Sequence, residues 1–390
     1  MFLARKELWF SKKRFLLIGF IIVLISWLVF MLSGLGNGLS DLGTATIRYS
    51  ELELAIFEEE AEFSLSKSTL TESLVEEIAQ LEGVEEAAGI ATAAGALVLG
   101  SKGETSASET DSTDLEASGK KTTVFFVGIE PGSFLEPATV SGQALASGSA
   151  SNSATRVLVD TSLQDEGFAL GDEVTLSGVG TEFEIGGFVA NEKLNHLPVV
   201  YVPLETLREF KYLVPGSDMG IDKPVNAIFL KGNKLDREAI SQALDGVEVA
   251  DKKDTLNGVP GYQAENSTIS MMLGLLVFIS AFVIAVFFYV LTTQKVQQFG
   301  VMKAIGASNG FVIKTVVSQV FLLSAVSILI GIGLTYLTTL ILPAGMPFNL
   351  LPELVVTYGL ILLVTSMIGS LFSIRSIIKI DPITALGRVE

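Results

Sequence analysis

The chain has 390 residues, 49% of them hydrophobic and 18% charged, with a mean hydropathy of +0.53; the apolar residues fall in blocks of about 20, the length that spans a bilayer, which excludes an ordinary soluble domain. The net charge of −17 is unevenly spread: residues 36–268 carry 15 basic and 39 acidic side chains, 15 − 39 = −24, so the remainder is basic on balance. Such a negative segment repels phosphate and excludes nucleic acid as a partner, and the absence of cysteine excludes disulfides, thiolate metal sites and thiol nucleophiles.

Taken in order, residues 1–14 (MFLARKELWFSKKR) fit an interfacial amphipathic helix or a positive stretch before a span. Either way the basic residues hold this end inside. Residues 15–35 form the first span, longer than the apolar core of about 7–15 residues in a cleaved signal. Gly34 and Gly38 have the GxxxG spacing that permits close helix contact and self-association.

Residues 36–268 are expected to form one extracytoplasmic mixed α+β domain. The stretch 39–65 is acidic and helical in tendency, as a continuation of the first span. Residues 69–81 read as a helix, with Thr69 and Glu72 as a capping box and Leu70, Leu74, Ile78 and Leu81 along one face. Residues 87–99 suit a strand pair or a buried segment. The Ser/Thr/Gly-rich stretch 101–121 buries too little to offset its ordering entropy and reads as a flexible insert, with a second loop at 144–154. Strand-like runs occupy 123–129, 156–160, 173–176, 183–188, 199–202, 227–230 and 247–250, with helices at 204–210 and 236–244.

Three further spans follow at 269–291, 316–342 and 351–372. The loop 343–350 lacks Lys and Arg and belongs outside; Arg375, Lys379 and Arg388 place the tail, 373–390, inside. The fold class is an α-helical membrane protein with four transmembrane helices and an extracytoplasmic mixed α+β domain.

No chemistry of its own is encoded. There is no GxxxxGK[ST] phosphate cradle, and the glycines of 178–187 lack its Lys and spacing. His196 is the only histidine, which excludes HExxH and paired-His zinc sites and leaves it as a polar loop residue. Glu58, Glu59 and Glu60 suit a solvated face. Catalytic and metal residues are therefore assigned to none, and the chain is expected to be a non-enzymatic subunit.

The informative stretch is 292–315, TTQKVQQFGVMKAIGASNGFVIKT. Lys295, Lys303 and Lys314 mark it as cytoplasmic. It is too apolar for a connector, since Phe299, Val301, Met302, Ile305, Phe311 and Ile313 need cover. Gly306, Ala307 and Ser308 give a small-residue turn on which two short helices fold back. A membrane-surface hairpin without a partner and a docking element for a cytosolic partner both fit these residues.

Residues 298–308, QFGVMKAIGAS, resemble the signature loop of FtsX-like permeases, the membrane subunits of MacB-type ABC transporters; Asp381, Pro382, Ala385 and Leu386 resemble that family's DPxxAL ending. Gln298 departs from the Glu the family often carries there. The stretches LGDEVTL (170–176) and FEIGGFV (183–189) resemble the β-rich part of the MacB-type external domain. The resemblance implies that Gln298, Phe299, Gly300, Met302, Lys303, Ile305, Gly306, Ala307 and Ser308 couple to an ABC ATPase. It also implies two permease chains with two ATPase subunits, ATP used by the partner alone, and no cofactor on this chain.

FLARKE (2–7) followed by residues 14–39 resembles the opening of HrtB-type permeases, which export haem in Gram-positive bacteria. That implies haem as a substrate, for which Met31, Tyr49, Glu51, Met271 and Met272 are candidate contacts. Two alternatives stay open. One is export of an antimicrobial peptide, a lipid or a lipoprotein. The other is FtsX-like signalling to a cell-wall hydrolase, whose external domain is usually much smaller.

Overall fold

The computed structural model describes residues 12–100, 120–145, 155–343 and 345–378. They fall into two units, one holding Ser40–Glu265 and the other Met1–Leu39 with Asn266–Glu390. The described chain enters through α1 (Lys12–Arg48).

The central unit follows with β1 (Leu54–Glu58), β2 (Leu70–Thr71), α2 (Ser73–Ile78), β3 (Val84–Leu99), β4 (Lys121–Ile129), β5 (Thr139–Gly142) and β6 (Thr155–Asp160). Next come α3 (Ser162–Asp165), β7 (Glu173–Leu176), β8 (Glu182–Val189), β9 (Lys193–Leu194), β10 (Leu197–Pro203) and α4 (Leu204–Lys211). The unit closes with β11 (Pro224–Val225), β12 (Ala227–Gly232), α5 (Arg237–Ala243), β13 (Val247–Asp251) and α6 (Lys252–Asn257).

One mixed sheet runs in the order β13-β1-β12-β3-β4-β10-β6-β8-β5, with β7 against β3 and β8, and β9 against β10. Its parallel pairs are β4 with β10 and β6 with β8. Both faces are buried, and alternation along each strand divides the core. Val124, Phe126, Val200 and Val202 meet Ile78, Leu207 and Ile240 of the covering helices. Phe125, Val127, Val199 and Tyr201 meet Ile47, Leu65 and Val259. Burial on two faces is why β10 reads as an unbroken apolar run. Phe126, Phe183 and Phe210 pack with ring centroids 5.2 to 6.1 Å apart, which adds about 0.5–1.5 kcal/mol per pair to the burial of their area.

The membrane unit contributes α7 (Tyr262–Gln294), α8 (Val296–Ala304), α9 (Asn309–Thr339) and α10 (Pro352–Ile378). Stretches of α1, α7, α9 and α10 are each long and apolar enough to cross a membrane. Phe15, Ile18 and Ile22 of α1 bury against Ile284, Phe288 and Leu291 of α7 and Val320 of α9. Gly331 of α9 lets α1 approach closely: a Cβ there would lie 2.7 Å from the Ser26 Cβ. Nearby, Trp27 Nε1 donates to Thr338 Oγ1 at 3.1 Å. Small residues at such contacts are what helices without a hydrophobic drive between them require. Leu16, Phe20, Phe278, Phe282 and Leu329 stay exposed and suit lipid.

Several expectations change. The helix over 39–65 stops at Arg48, and residues 54–58 form β1 instead. Leu54, Ala55, Ile56 and Phe57 are all buried between β13 and β12, and Glu60, Glu62 and Phe63 take positive φ, which ends any helix. The capping box at Thr69 and Glu72 does not form. Residues 70–71 pair with β11, and the Glu72 carboxylate lies 3.2 Å from Arg208 Nη1. Residues 87–99 belong to one 16-residue strand, not a pair. Lys121, expected in the flexible insert, starts β4, and Lys120 precedes it; residues 101–119 of that insert lie outside the described residues. So do most of the N-terminal segment (1–11), the loop residues 146–154 and the tail from 379, with Asp381, Pro382, Ala385 and Leu386.

Candidate functional site

The stretch 292–315 is a short helix between two spans rather than a pair of short helices. α7 runs on to Gln294, α8 occupies Val296–Ala304, and α9 starts at Asn309. Gly306, at φ +101°, ends α8. The Gly306 amide donates to the Lys303 carbonyl at 3.0 Å and the Ala307 amide to the Met302 carbonyl at 2.9 Å. This paired closure is the Schellman motif, which a left-handed glycine supports without strain. Ser308 then caps α9, its Oγ accepting from the Phe311 amide at 3.3 Å. The sequence G-A-S thus encodes one helix stop and one helix start.

The segment has an inner and an outer face. Phe299 is buried with Val312 and Val316, and Met302 packs beside them. Gly300 is buried too, so neither it nor Phe299 presents a side chain to a partner. Gln298, Ile305, Gly306 and Ser308 are exposed, while Met302, Lys303 and Ala307 are half-buried. Ile305 is 81% exposed, and Val301 and Phe311, absent from the expected coupling set, are also exposed. Lys295, at the junction of α7 and α8, is only 8% exposed, with its ammonium 4.9 Å from the centroid of Phe15.

The candidate substrate contacts are divided between the two units, Met31, Met271 and Met272 in one and Tyr49 and Glu51 in the other. Met31 is half-buried on α1, and Met271 and Met272 are exposed on α7. Tyr49 Oη donates to the Asp41 carboxylate at 3.0 Å, and Glu51 pairs with Lys231. The GxxxG pair has a local occupant. A Cβ at Gly34 would lie 2.4 Å from the Phe348 ring, and one at Gly38 would lie 2.4 Å from the Pro347 carbonyl carbon. Asn37 Nδ2 donates to the Asn349 carbonyl at 3.1 Å, and the Asn349 amide donates to the Gly34 carbonyl at 3.0 Å. The glycines therefore seat the chain's own loop between α9 and α10.

His196 has a more defined place than a loop residue. β9 and β10 form a hairpin whose two-residue turn is Asn195–His196, with φ of +52° and +63°. Positive φ at both central positions is the type I′ arrangement, usually Asn-Gly, and His in the place of Gly hid the hairpin from the sequence. The Asn195 amide donates to the Gly43 carbonyl and the His196 amide to the Leu42 carbonyl, both at 3.0 Å. His196 Nε2 lies 3.2 Å from Glu265 Oε1, in the first turn of α7. At the hairpin's base the Glu192 amide donates to Asp160 Oδ2 at 2.7 Å, and Tyr201 Oη donates to Glu192 Oε2 at 2.6 Å. Burial, above all, raises the Glu192 carboxyl, and burial followed by the Glu192 charge raises the Tyr201 phenol well above its ordinary value.

Comparison with known proteins bears on both parts of the chain. Residues 270–382 match the family model described as FtsX-like permease C-terminal. A Staphylococcus haemolyticus (strain JCSC1435) protein named for hemin transport, permease protein HrtB, is 26% identical over 390 residues, covering 100% of both chains. A Staphylococcus epidermidis (strain ATCC 12228 / FDA PCI 1200) protein of the same name is 26% identical over 388 residues, 99% of each. Among solved structures, the periplasmic region of MacB from Actinobacillus actinomycetemcomitans is 15% identical, with a TM-score of 0.36 over 52% of this chain and 91% of that one. The extracellular domain of the noncanonic ABC-type transporter YknZ from Gram-positive bacteria is 12% identical, with a TM-score of 0.33 over 51% and 99%. The capped turn at Gly306, set between two helices long and apolar enough to cross a membrane, thus lies inside the stretch that matches the FtsX-like permease C-terminal family model.

Proposed function

We propose that this chain is the membrane subunit of an ATP-driven exporter that expels haem, or another hydrophobic molecule, from the membrane. The observation that carries the reading is the capped turn at Gly306, which is apolar on both its inner and outer faces. Phe299, Val312 and Val316 fix it to the start of α9, while among the described residues Val301, Ile305 and Phe311 stay exposed, Ile305 most of all. The sequence has no phosphate cradle, so the nucleotide cycle belongs to a cytosolic ATPase seated on that outer face. Closure of the ATPase displaces the turn, and α7 and α9 carry the displacement through the membrane. Such coupling needs two global states that ATP biases differently.

In this reading both termini are cytoplasmic, two copies of the chain pair with two ATPases, and the chain itself catalyses nothing. Haem is favoured by the full-length similarity to permeases named for hemin transport. The contacts most available to it are Met31, Met271 and Met272, since Tyr49 and Glu51 already hold Asp41 and Lys231.

Two variants test the coupling. Gly306→Val places a β-branched residue at φ +101°, costing about 1–3 kcal/mol of local strain. Met302→Asp sets a charge beside Phe299. With the partner ATPase co-expressed, both are expected to insert normally, keep ATP hydrolysis and lose haemin efflux. Undiminished efflux in both would remove the docking role. Separately, the purified chain titrated with haemin should shift the Soret band, less so after Met271→Leu with Met272→Leu. An unshifted band would count against haem and leave the exporter standing.

A further inference from the structure

The Asn195–His196 turn touches the chain just before it becomes one span and just after it leaves another. Its two amides reach the Leu42 and Gly43 carbonyls of α1, and its imidazole reaches Glu265 of α7. A Cβ at Gly43 would lie 3.7 Å from His196 Nε2, so the ring rests on that glycine. The hairpin is also bonded to the sheet at its base, through the Glu192 amide and the Asp160 carboxylate, which is 1% exposed. Asn195 is at home in a type I′ turn, so the local departure is His196, a non-glycine residue at φ +63° where Gly is usual. The backbone of the turn is that of an ordinary two-residue hairpin; the three-point contact is what an ordinary hairpin tip in water would lack.

We infer that this hairpin is the outer transmission element of the transport cycle: the Asn195–His196 tip receives the movement of α1 and α7 and passes it through Glu192 and Asp160 to the sheet. His196 is then a positioning residue, acting through Glu265 rather than on a substrate. The inference rests on the nucleotide-driven reading above, and adds to it a named element within the unit Ser40–Glu265.

The test is hydrogen exchange on the full-length chain in nanodiscs with its ATPase, comparing peptides over 183–196 without nucleotide and after ATP–vanadate trapping. In the parent protein, trapping is expected to change deuterium uptake in these peptides. His196→Gly keeps the turn, since Gly accepts positive φ, and removes the ring; Glu265→Ala removes the same contact from the other side. Both are expected to hydrolyse ATP as the parent does, while the trapping-dependent difference falls by at least about fivefold. A merely structural role would raise uptake in both states and leave their difference unchanged, which would overturn the inference but not the exporter. No difference in the parent would overturn both.

Discussion

Lys211 shows how strongly one side chain feels this fold. Its ammonium donates to Asn226 Oδ1 at 2.9 Å and sits 5.1 Å from the centroid of Tyr212, and burial lowers its pKa from 10.5 to about 8. Between those values the unfolded chain binds more protons than the folded one, so stability rises with pH. The cost of holding the charge is fully present below about pH 8 and relieved as pH climbs towards 10.5. It is on the order of 3 kcal/mol. Lys211→Met is therefore expected to raise the melting temperature at neutral pH and to flatten its rise above pH 8; an unchanged slope would contradict the burial argument. Nothing local in the sequence reports that Asn226 lies beside Lys211.

At the scale of elements, what could be read depended on where the stabilising contacts lie. The α8–α9 turn was legible because Gly306 and Ser308 act on their immediate neighbours. β1 was not: LAIF between acidic flanks suits a helix locally, and only its two neighbouring strands make it a strand. The same holds for Glu72, drawn from the cap of α2 by a cation 136 residues away. Gly34 and Gly38 were legible as a close-contact pair, but their occupant, the Pro347–Phe348 loop, was not. That difference is testable. Gly38→Leu forces atoms into the Pro347 backbone and should cost about 1–3 kcal/mol. Gly274→Ala on α7 meets nothing within 4 Å among the described residues and should gain up to about 1 kcal/mol of helix propensity. Melting of the detergent-solubilised variants checks both, and equal effects would show that the notch is empty in solution.

For the whole molecule, four spans and the division of charge were readable because bilayer length and Lys/Arg bias act over long stretches. The order of strands was not, since β4, β10, β6 and β8 are joined by pairings far apart in sequence. The central claim is that a partner inside the cell drives this chain through α8, and the chain's lack of cysteine makes its sidedness directly measurable. Gln298→Cys places one thiol on the exposed face of α8. An impermeant maleimide is expected to leave it unlabelled in intact cells and to label it once the membrane is opened. Labelling in intact cells would put α8 outside, beyond the reach of any cytosolic ATPase, and contradict the account.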